Sequence, residues 1–524
     1  MNWPVAWRSN TRSMPPSRLP ESGAVVTIQS KNMKTLNRRT FLKGSLLTAA
    51  SASLAPVFTG CATSKPVARV IRANEDIRVA VVGFNGRGAD HIRSLMKLRE
   101  GGEKVRIVAL CDVDSKVLGA AVASLTDKGN PVTGYADIRK LLENPEVDAL
   151  SIATPNHWHS LGAIWAVQAG RDVYLEKPVS HNVWEGRQLV DAARKYGRIV
   201  QAGTQSRSSQ GIREAVAWVR AGNLGKIILA RGMCYKRRAS IGKVSGPQPI
   251  PPNIDYDLWC GPAPKGPLMR KNLHYDWHWV WPTGCGDIGN QGIHQMDISR
   301  WFLGEPALSP HVLSVGGRLG YVDDGETPNT QVIFHDYPKA PLMFEVRGLP
   351  EKTGSGKMDK YMGGSICVVI HCEGGHVLVP DYNGAIMFDR QDKEIRRFMG
   401  AEDHHANFLK AVRSRKVSDL TADILEGHLS SALCHTGNIS HRLGAFKSPA
   451  EIREAIRGEP DAENSFQRML DHLQANDVDV NVTPLTLGVP LKMNPAREVF
   501  FGNARANEML TRPYRTPFVV PAKV

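Results

Sequence analysis

From residue 77 onward, apolar runs and amphipathic stretches alternate along the chain. Ile77–Val82 is apolar except for Arg78, the pattern of a strand buried on both faces of a parallel sheet. The next stretch places Ile92, Leu95, Met96 and Leu98 on one helical face. The rhythm then repeats. "VRIVALCDVD" carries a second strand, 117–125 a helix, and 149–153, Asp172–Leu175 and 199–202 further strands. Strands separated by helices predict a doubly wound parallel sheet. Beyond about residue 208 the pattern changes. "KIILARGMCYKRR" and "APLMFEVRGL" read as strands, "GSICVVIHCEGGHVLVPD" as two strands around Gly374-Gly375, and "ILEGHLSSALCHTGNISHRLG" as a long helix. The predicted class is α/β: an N-terminal doubly wound parallel sheet, then an α+β domain with a large open mixed or antiparallel sheet.

The same pattern divides the chain. Residues 1–32 are Pro- and Ser-rich without periodicity and read as upstream of the native start or disordered, with Met33 the better start. Residues 33–75 read as a leader and linker, 76–207 as a dinucleotide-binding domain, 208–447 as a substrate and oligomerisation domain, and 448–524 as an extension packing on the core.

The leader "NRRTFLKGSLLTAASASLAPVFTGCA" has a basic pair at Arg38 and Arg39, a short apolar run, and small residues before Cys61. That run is too short to span a bilayer. "RRTFLKG" resembles the twin-arginine signal, used for proteins that fold before export, so a periplasmic location and contact with that export machinery are expected. "FTGC" loosely resembles a lipobox; Cys61 reads either as a lipid anchor or as an ordinary residue. Composition changes the partner question. The formal charge is +15, but eleven basic residues and two acids fall within residues 1–75. The remainder carries a mild excess with no basic stripe, which argues against nucleic acid. No cysteine pair has CxxC spacing, and Cys367 and Cys372 point to opposite faces of one strand. Adjacent His404 and His405 cannot share a helical face, so no metal site is expected.

Chemistry begins at the first turn. Gly83, Gly86 and Gly88 follow the first strand with spacing G-x-x-G-x-G and open a helix. Backbone without Cβ lets a pyrophosphate reach the N–H groups of a helix N-terminus, although a plain tight turn has the same spacing. The second strand ends at Asp112, where a carboxylate can accept hydrogen bonds from both ribose hydroxyls. No Arg stands nearby in sequence to pair a 2′-phosphate, so NAD is favoured over NADP.

Between Ile77 and Gly444 the segments "VAVVGFNGRG", "CDVD", "ATPNHWH", "YLEKPVSHN", "QAGTQSRSS" and "GDIGNQGIHQMDISRWFLG" together resemble the Gfo/Idh/MocA family of oxidoreductases. The resemblance implies a Rossmann domain whose cofactor contacts come from Gly83, Asn85, Gly86, Arg87, Gly88, Asp112, Thr154, Pro155, Asn156, His157, Glu176, Lys177 and Gln205. It also implies a homo-oligomer, dimer or tetramer, formed through the open face of the second sheet. Lys177 would lie beside the nicotinamide and the substrate hydroxyl, and Lys177 and His294 would manage the hydroxyl proton. A partly desolvated Lys there can exchange a proton with an alcohol. The family pattern has an Asp four residues before the His; here His294 is present but Asn290 stands in the Asp position. Asn can orient a hydroxyl but cannot take its proton. Positions 287, 290 and 294 share a helical face if Asp287 is already helical, and Asp287 reads equally as a proton carrier or a helix N-cap. Arg207 reads as a substrate contact or as half of an ion pair. Tyr275, Trp277 and Trp279 offer flat aromatic faces for a sugar, or close the domain interface.

These residues support an exported, NAD-loaded oxidoreductase acting on a secondary hydroxyl of a sugar, glycoside or cyclitol. The alternatives are a redox-assisted glycoside hydrolase and a non-catalytic sugar- or nucleotide-binding protein on the same fold.

Overall fold

A computed structural model describes Arg69, Ile71, Arg72 and residues 74–524. The leader, with Met33, Arg38, Arg39 and Cys61, lies outside the described residues.

Six strands form the first sheet: β1 (Ile77–Val82), β2 (Val105–Cys111), β3 (Thr133–Tyr135), β4 (Ala149–Ile152), β5 (Asp172–Leu175) and β6 (Val200–Ala202). All run parallel, in the order β3-β2-β1-β4-β5-β6. The winding reverses between β1 and β4, so a crevice opens beyond their carboxyl ends. Helices α1 (Arg87–Glu100), α2 (Ser115–Asp127), α3 (Ile138–Leu142), α4 (His159–Gln168) and α5 (Val183–Tyr196) connect the strands. The polar break in β1 has a local answer: the Arg78 guanidinium bonds Asp148 at 2.9 Å and Glu146 at 3.3 Å.

The second sheet has twelve strands. They are β7 (Ile227–Tyr235), β8 (His311–Gly317), β9 (Thr330–His335), β10 (Leu342–Arg347), β11 (Ile366–Cys372), β12 (Gly375–Val379), β13 (Gly384–Asp389), β14 (Glu394–Met399), β15 (Ala445–Lys447), β16 (Leu485–Leu487), β17 (Leu491–Asn494) and β18 (Val499–Phe500). β7 and β10 pair in parallel and their other neighbours are antiparallel, which makes the sheet mixed. The helices of this half are α6 (Gln210–Arg220), α7 (Tyr256–Cys260), α8 (Ile293–Leu303), α9 (His404–Ser414) and α10 (Ile424–Arg442). α6, α8 and α10 cover one face, packing on Ala230, Cys234, Phe344 and Val346. α9 returns to the first sheet through Phe408, Leu409 and Val412. Cys367 and Cys372 fall in different apolar clusters, as opposite faces require, and both are buried free thiols.

The family resemblance assigned the other sheet face to a second subunit. Its centre is covered instead by the chain's own C-terminal extension. α11 (Pro449–Ala455) leads into α12 (Pro460–Ala475), which buries Phe466, Met469 and Leu473. Arg231, Tyr235 and Glu345 alternate with the helix-facing residues and so point to α12. Arg468 donates to the Tyr235 hydroxyl at 3.1 Å and pairs with Glu345, which also pairs with Arg231 at 2.6 Å. Burial opposes ionisation of Glu345, but the guanidiniums of Arg231, Arg468 and Arg347 outweigh it and hold the carboxyl at about 2.

Candidate active site

The glycine turn divides into packing and opening. Gly83 has φ +73°, and a Cβ there would stand 2.8 Å from the Thr154 backbone. A Cβ on Gly88 would lie 2.1 Å from the Gly83 carbonyl oxygen. These two glycines let β1, β4 and α1 approach. A Cβ on Gly86 would meet nothing within 4 Å, and Gly86 lines a cavity.

That cavity has a volume of about 310 Å³. It runs from Asp112 and Asp137, past Asn85, Arg87, Thr154, Pro155 and Asn156, to Glu176, Lys177 and Asn290. The Asp112 carboxylate accepts the Phe84 and Asp114 N–H groups, both at 3.0 Å. Burial raises its pKa, and those backbone bonds oppose the rise. Thr154 Oγ1 is buried without a hydrogen-bond partner among the described residues. An empty glycine cradle at a helix N-terminus, a carboxylate at the end of β2 and an orphaned hydroxyl between them fit a dinucleotide.

Lys177 stands at the far end, just beyond β5, and its peptide bond to Pro178 is cis. Its Nζ donates to the Asn290 carbonyl at 2.8 Å. Burial lowers the Lys177 pKa, and the neighbouring Glu176 charge partly offsets this. Glu176 itself is buried and heavily engaged. Its Oε1 accepts from Arg87 Nε at 3.0 Å and Gln205 Nε2 at 2.9 Å, and lies 3.1 Å from His91 Nε2. Burial resists its charge, but His91, Lys177 and Arg87 hold its pKa well below the carboxylate range.

The opposite wall comes from the long excursion between β7 and α8. Leu258, Trp259, His274, Tyr275, Trp277 and His278 line the cavity. The excursion is tied across the first domain. Asn253 donates to Asp114 at 2.7 Å, His274 Nε2 lies 2.9 Å from Asp114, and the Trp158 indole donates to the Leu258 carbonyl at 2.9 Å. The C-terminal tail adds two ties: Arg515 to Asp257 at 2.8 Å and Arg512 to the Pro282 carbonyl at 2.7 Å.

His278 is the residue the sequence reading missed as a proton group. Its ring stacks on Trp277 at 3.6 Å, and Nδ1 donates to the Tyr275 carbonyl at 2.6 Å. That bond leaves Nε2 with the lone pair. Burial, and then the nearby Lys177 and Arg238 charges, lower its pKa to about 3, so it is neutral at physiological pH. The signal was the "DWHWVW" cluster, read for its flat rings rather than its imidazole.

Several expected contacts lie elsewhere. Asp287 forms a bidentate pair with Arg238 at 3.0 and 2.7 Å, so it is not a free base, and although it occupies the N-cap position its side chain makes no capping hydrogen bond. A single π-type turn over Ile288–Gly292 widens the helix and breaks the face predicted for 287, 290 and 294. Asn290 alone of the three lines the cavity. His294 is buried, its Nδ1 without a hydrogen-bond partner among the described residues and its ring 5.0 Å from that of Tyr382. Burial, and then Lys177, lower its pKa to about 3. Arg207 is buried against Asp297 at 2.8 Å and Glu426 at 3.0 Å, so it is the ion-pair residue and not a substrate contact. His157 is buried, bonding the Trp259 carbonyl at 2.9 Å, and supports the wall from behind. Gln205 orients Glu176 rather than reaching the cavity, and Gly88 serves close packing. Trp279 is buried under Arg238, 5.3 Å from its guanidinium, while Tyr275 and Trp277 do line the cavity.

Comparison with known proteins agrees with this geometry. Residues 77–204 match the model of an oxidoreductase family's NAD-binding Rossmann fold, and residues 222–328 match the same family's C-terminal α/β domain. Over these two segments the chain is similar to the Gfo/Idh/MocA oxidoreductase family. A glycosyl hydrolase family 109 protein of Saccharopolyspora erythraea is 30% identical over 210 residues, covering 37% of this chain and 45% of that protein. Inositol 2-dehydrogenase of Salmonella typhimurium is 26% identical over 183 residues, covering 35% and 52%. The chain thus spans about half the length of these curated relatives. The WlbA dehydrogenase of Bordetella pertussis, solved with NADH and UDP-GlcNAcA, superposes with a TM-score of 0.51 at 21% identity, covering 68% of this chain and 94% of that one. This likeness shows a shared fold.

Proposed function

We propose that the protein oxidises a secondary hydroxyl of a sugar, glycoside or cyclitol with a tightly held NAD. The observation that carries the reading is the single cavity joining the glycine cradle and Asp112 to the buried ammonium of Lys177. The dinucleotide, when bound, supplies the hydride acceptor. Asp112 would hold the ribose hydroxyls, and Gly86 would leave room for the pyrophosphate at the start of α1. Lys177, its pKa lowered by burial, would take the hydroxyl proton in its neutral form. Neutral His278, across the cavity, would accept a hydrogen bond from the same substrate. The tied excursion supports slow cofactor exchange, because leaving would require breaking the bonds to Asp114.

The test is denaturation of the purified protein, followed by mass spectrometry of the released nucleotide and a sugar panel read by nicotinamide absorbance. Stoichiometric NAD and loss of turnover in Lys177→Ala are expected. Nucleotide-free protein that requires added NAD would refute the tight binding. Turnover unchanged in Lys177→Ala would remove Lys177 from the chemistry, and sugar binding with no turnover in the native protein would favour a binding protein.

A redox-assisted glycosidase is the second reading, supported by the relatives named as family 109 glycosyl hydrolases. It predicts aglycone release from aryl glycosides with no net change in nicotinamide absorbance. Export through the twin-arginine route accompanies either reading. Replacing Arg38 and Arg39 by Lys should then retain the protein in the cytoplasm.

A further inference from the structure

Charged groups at the substrate end do not balance. Four cations lie in or next to it: Arg87 and Lys177 line the cavity, while Lys236 reaches Gln291, beside Asn290, and Arg238 reaches Tyr275 and Asp287. Two carboxylates accompany them. Glu176 is engaged by Arg87 at 3.0 Å, and Asp287 by Arg238 at 2.7 Å. Lys177 and Lys236 remain. Lys177 Nζ donates to the Asn290 carbonyl at 2.8 Å, and Lys236 Nζ donates to Gln291 Oε1 at 2.8 Å. Two ammonium groups thus rest on neighbouring residues of one π-type turn, each against a neutral oxygen. Among the described residues neither has a carboxylate within 4.0 Å. Lys236 is half-buried, and Gln291 in turn donates to the Tyr382 hydroxyl at 2.5 Å. Glu176 stands near enough to Lys177 to offset its burial, whereas the half-buried ammonium of Lys236 has only a neutral oxygen and invites an anion.

We propose that the substrate is a sugar acid whose carboxylate is bound by Lys236, while its reacting hydroxyl faces Lys177. This rests on the oxidoreductase reading and narrows its substrate class. Bond changes follow the parent reaction. The carbinol C–H breaks with its electron pair passing to the nicotinamide, the hydroxyl proton passes to neutral Lys177, and the carboxylate is unchanged. Lys236 is therefore a specificity residue.

The experiment is calorimetric titration of the purified protein, as it is isolated, with D-glucuronate and D-galacturonate, each against its neutral parent sugar. A charge-assisted hydrogen bond predicts a preference for the uronate of roughly tenfold or more, weakening as salt is raised. Lys236→Gln should collapse the uronate-to-neutral affinity ratio toward one, and Lys236→Arg should restore it. Gln291→Glu keeps the lysine but supplies an internal counter-ion, and should collapse the ratio as well. Equal affinity for both sugar classes, failure to bind any uronate, or an unchanged ratio in both charge-altering variants would overturn the proposal. The parent reading fails differently. If neutral sugars reduce the bound nicotinamide without a uronate preference, only the sugar-acid inference is lost. If uronates bind as expected and nothing reduces the nicotinamide, only the oxidoreductase reading is lost.

Discussion

Asn290→Asp tests the role of Lys177 most directly. The Lys177 ammonium already touches the backbone carbonyl of residue 290, at 2.8 Å. A carboxylate on that residue's side chain would stand about 5 Å from Nζ. With an effective dielectric of about 20, the attraction is about 3 kcal/mol. At 1.36 kcal/mol per unit, that raises the lysine pKa by roughly 2 units. The present value is lowered by burial, with Glu176 opposing, so the variant undoes much of the depression. A base must be neutral to act. The ascending limb of the pH profile of kcat/KM should therefore move about 2 units alkaline, with a rate loss of roughly 100-fold at any pH on that limb. The assay is hydride transfer across pH with one productive sugar. A substrate-free companion is the pH dependence of Lys177 acylation, located by peptide mass spectrometry. Asn290→Ala keeps the carbonyl contact without adding charge and should leave the limb in place. An unmoved limb in Asn290→Asp would remove Lys177 from the titration. A shift toward acid would mean that the new carboxylate takes the proton itself.

Three further outcomes are expected. Arg207→Ala leaves Asp297 and Glu426 without their buried partner and should cost about 3–5 kcal/mol, read as a lower Tm, while KM stays unchanged in the folded fraction; a normal Tm with altered KM would return Arg207 to the substrate. Gly88→Ala forces a Cβ to 2.1 Å from Gly83 and should destabilise by about 1–3 kcal/mol, whereas Gly86→Ala should show as loss of retained dinucleotide, because its Cβ points into the cavity. His157, His294 and His335 are held neutral by burial, with pKa values of about 3 against about 6.5 when unfolded. The unfolded chain then binds more protons below about pH 6.5, so stability is full above that pH and falls as pH drops toward 3, by up to about 1.4 kcal/mol per unit for each histidine. The carboxylates held down at about 2, Glu345, Glu451 and Glu498, start to lose their stabilising contribution only below about pH 4.5, so a Tm that stays flat from pH 6.5 to 5 would contradict the neutral histidines.

Some of this was legible in the sequence and some was not, for physical reasons. Strands buried on both faces spell themselves as unbroken apolar runs, so β1 was readable to the residue. The glycine turn, Asp112 and Lys177 were readable because strand ends set their positions. Asp287 was misread because helical spacing assumes 3.6 residues per turn, and the π-type turn inserts a wider one. Arg207 stayed open between substrate contact and ion pair because its partner Asp297 lies ninety residues away, and no local spacing announces the pair. His278 reaches the cavity only because the excursion folds back over the first sheet and is tied at Asp114, a tertiary fact.

The second sheet carries the same lesson further. Arg231, Glu345 and Arg347 interrupt strands that are otherwise apolar, as residues facing water or a partner subunit do. All three are nearly fully buried. Their answer lies in α12, where Arg468 supplies the charge and Phe466, Met469 and Leu473 supply the apolar face. The spacing of those three residues announces an amphipathic helix, but not the surface it covers. Once α12 is seated, three guanidiniums surround one carboxylate, and removing the helix would strand Glu345 and its arginines on an exposed sheet. A second subunit docking at the centre of this face would first have to displace α12 and answer those charges.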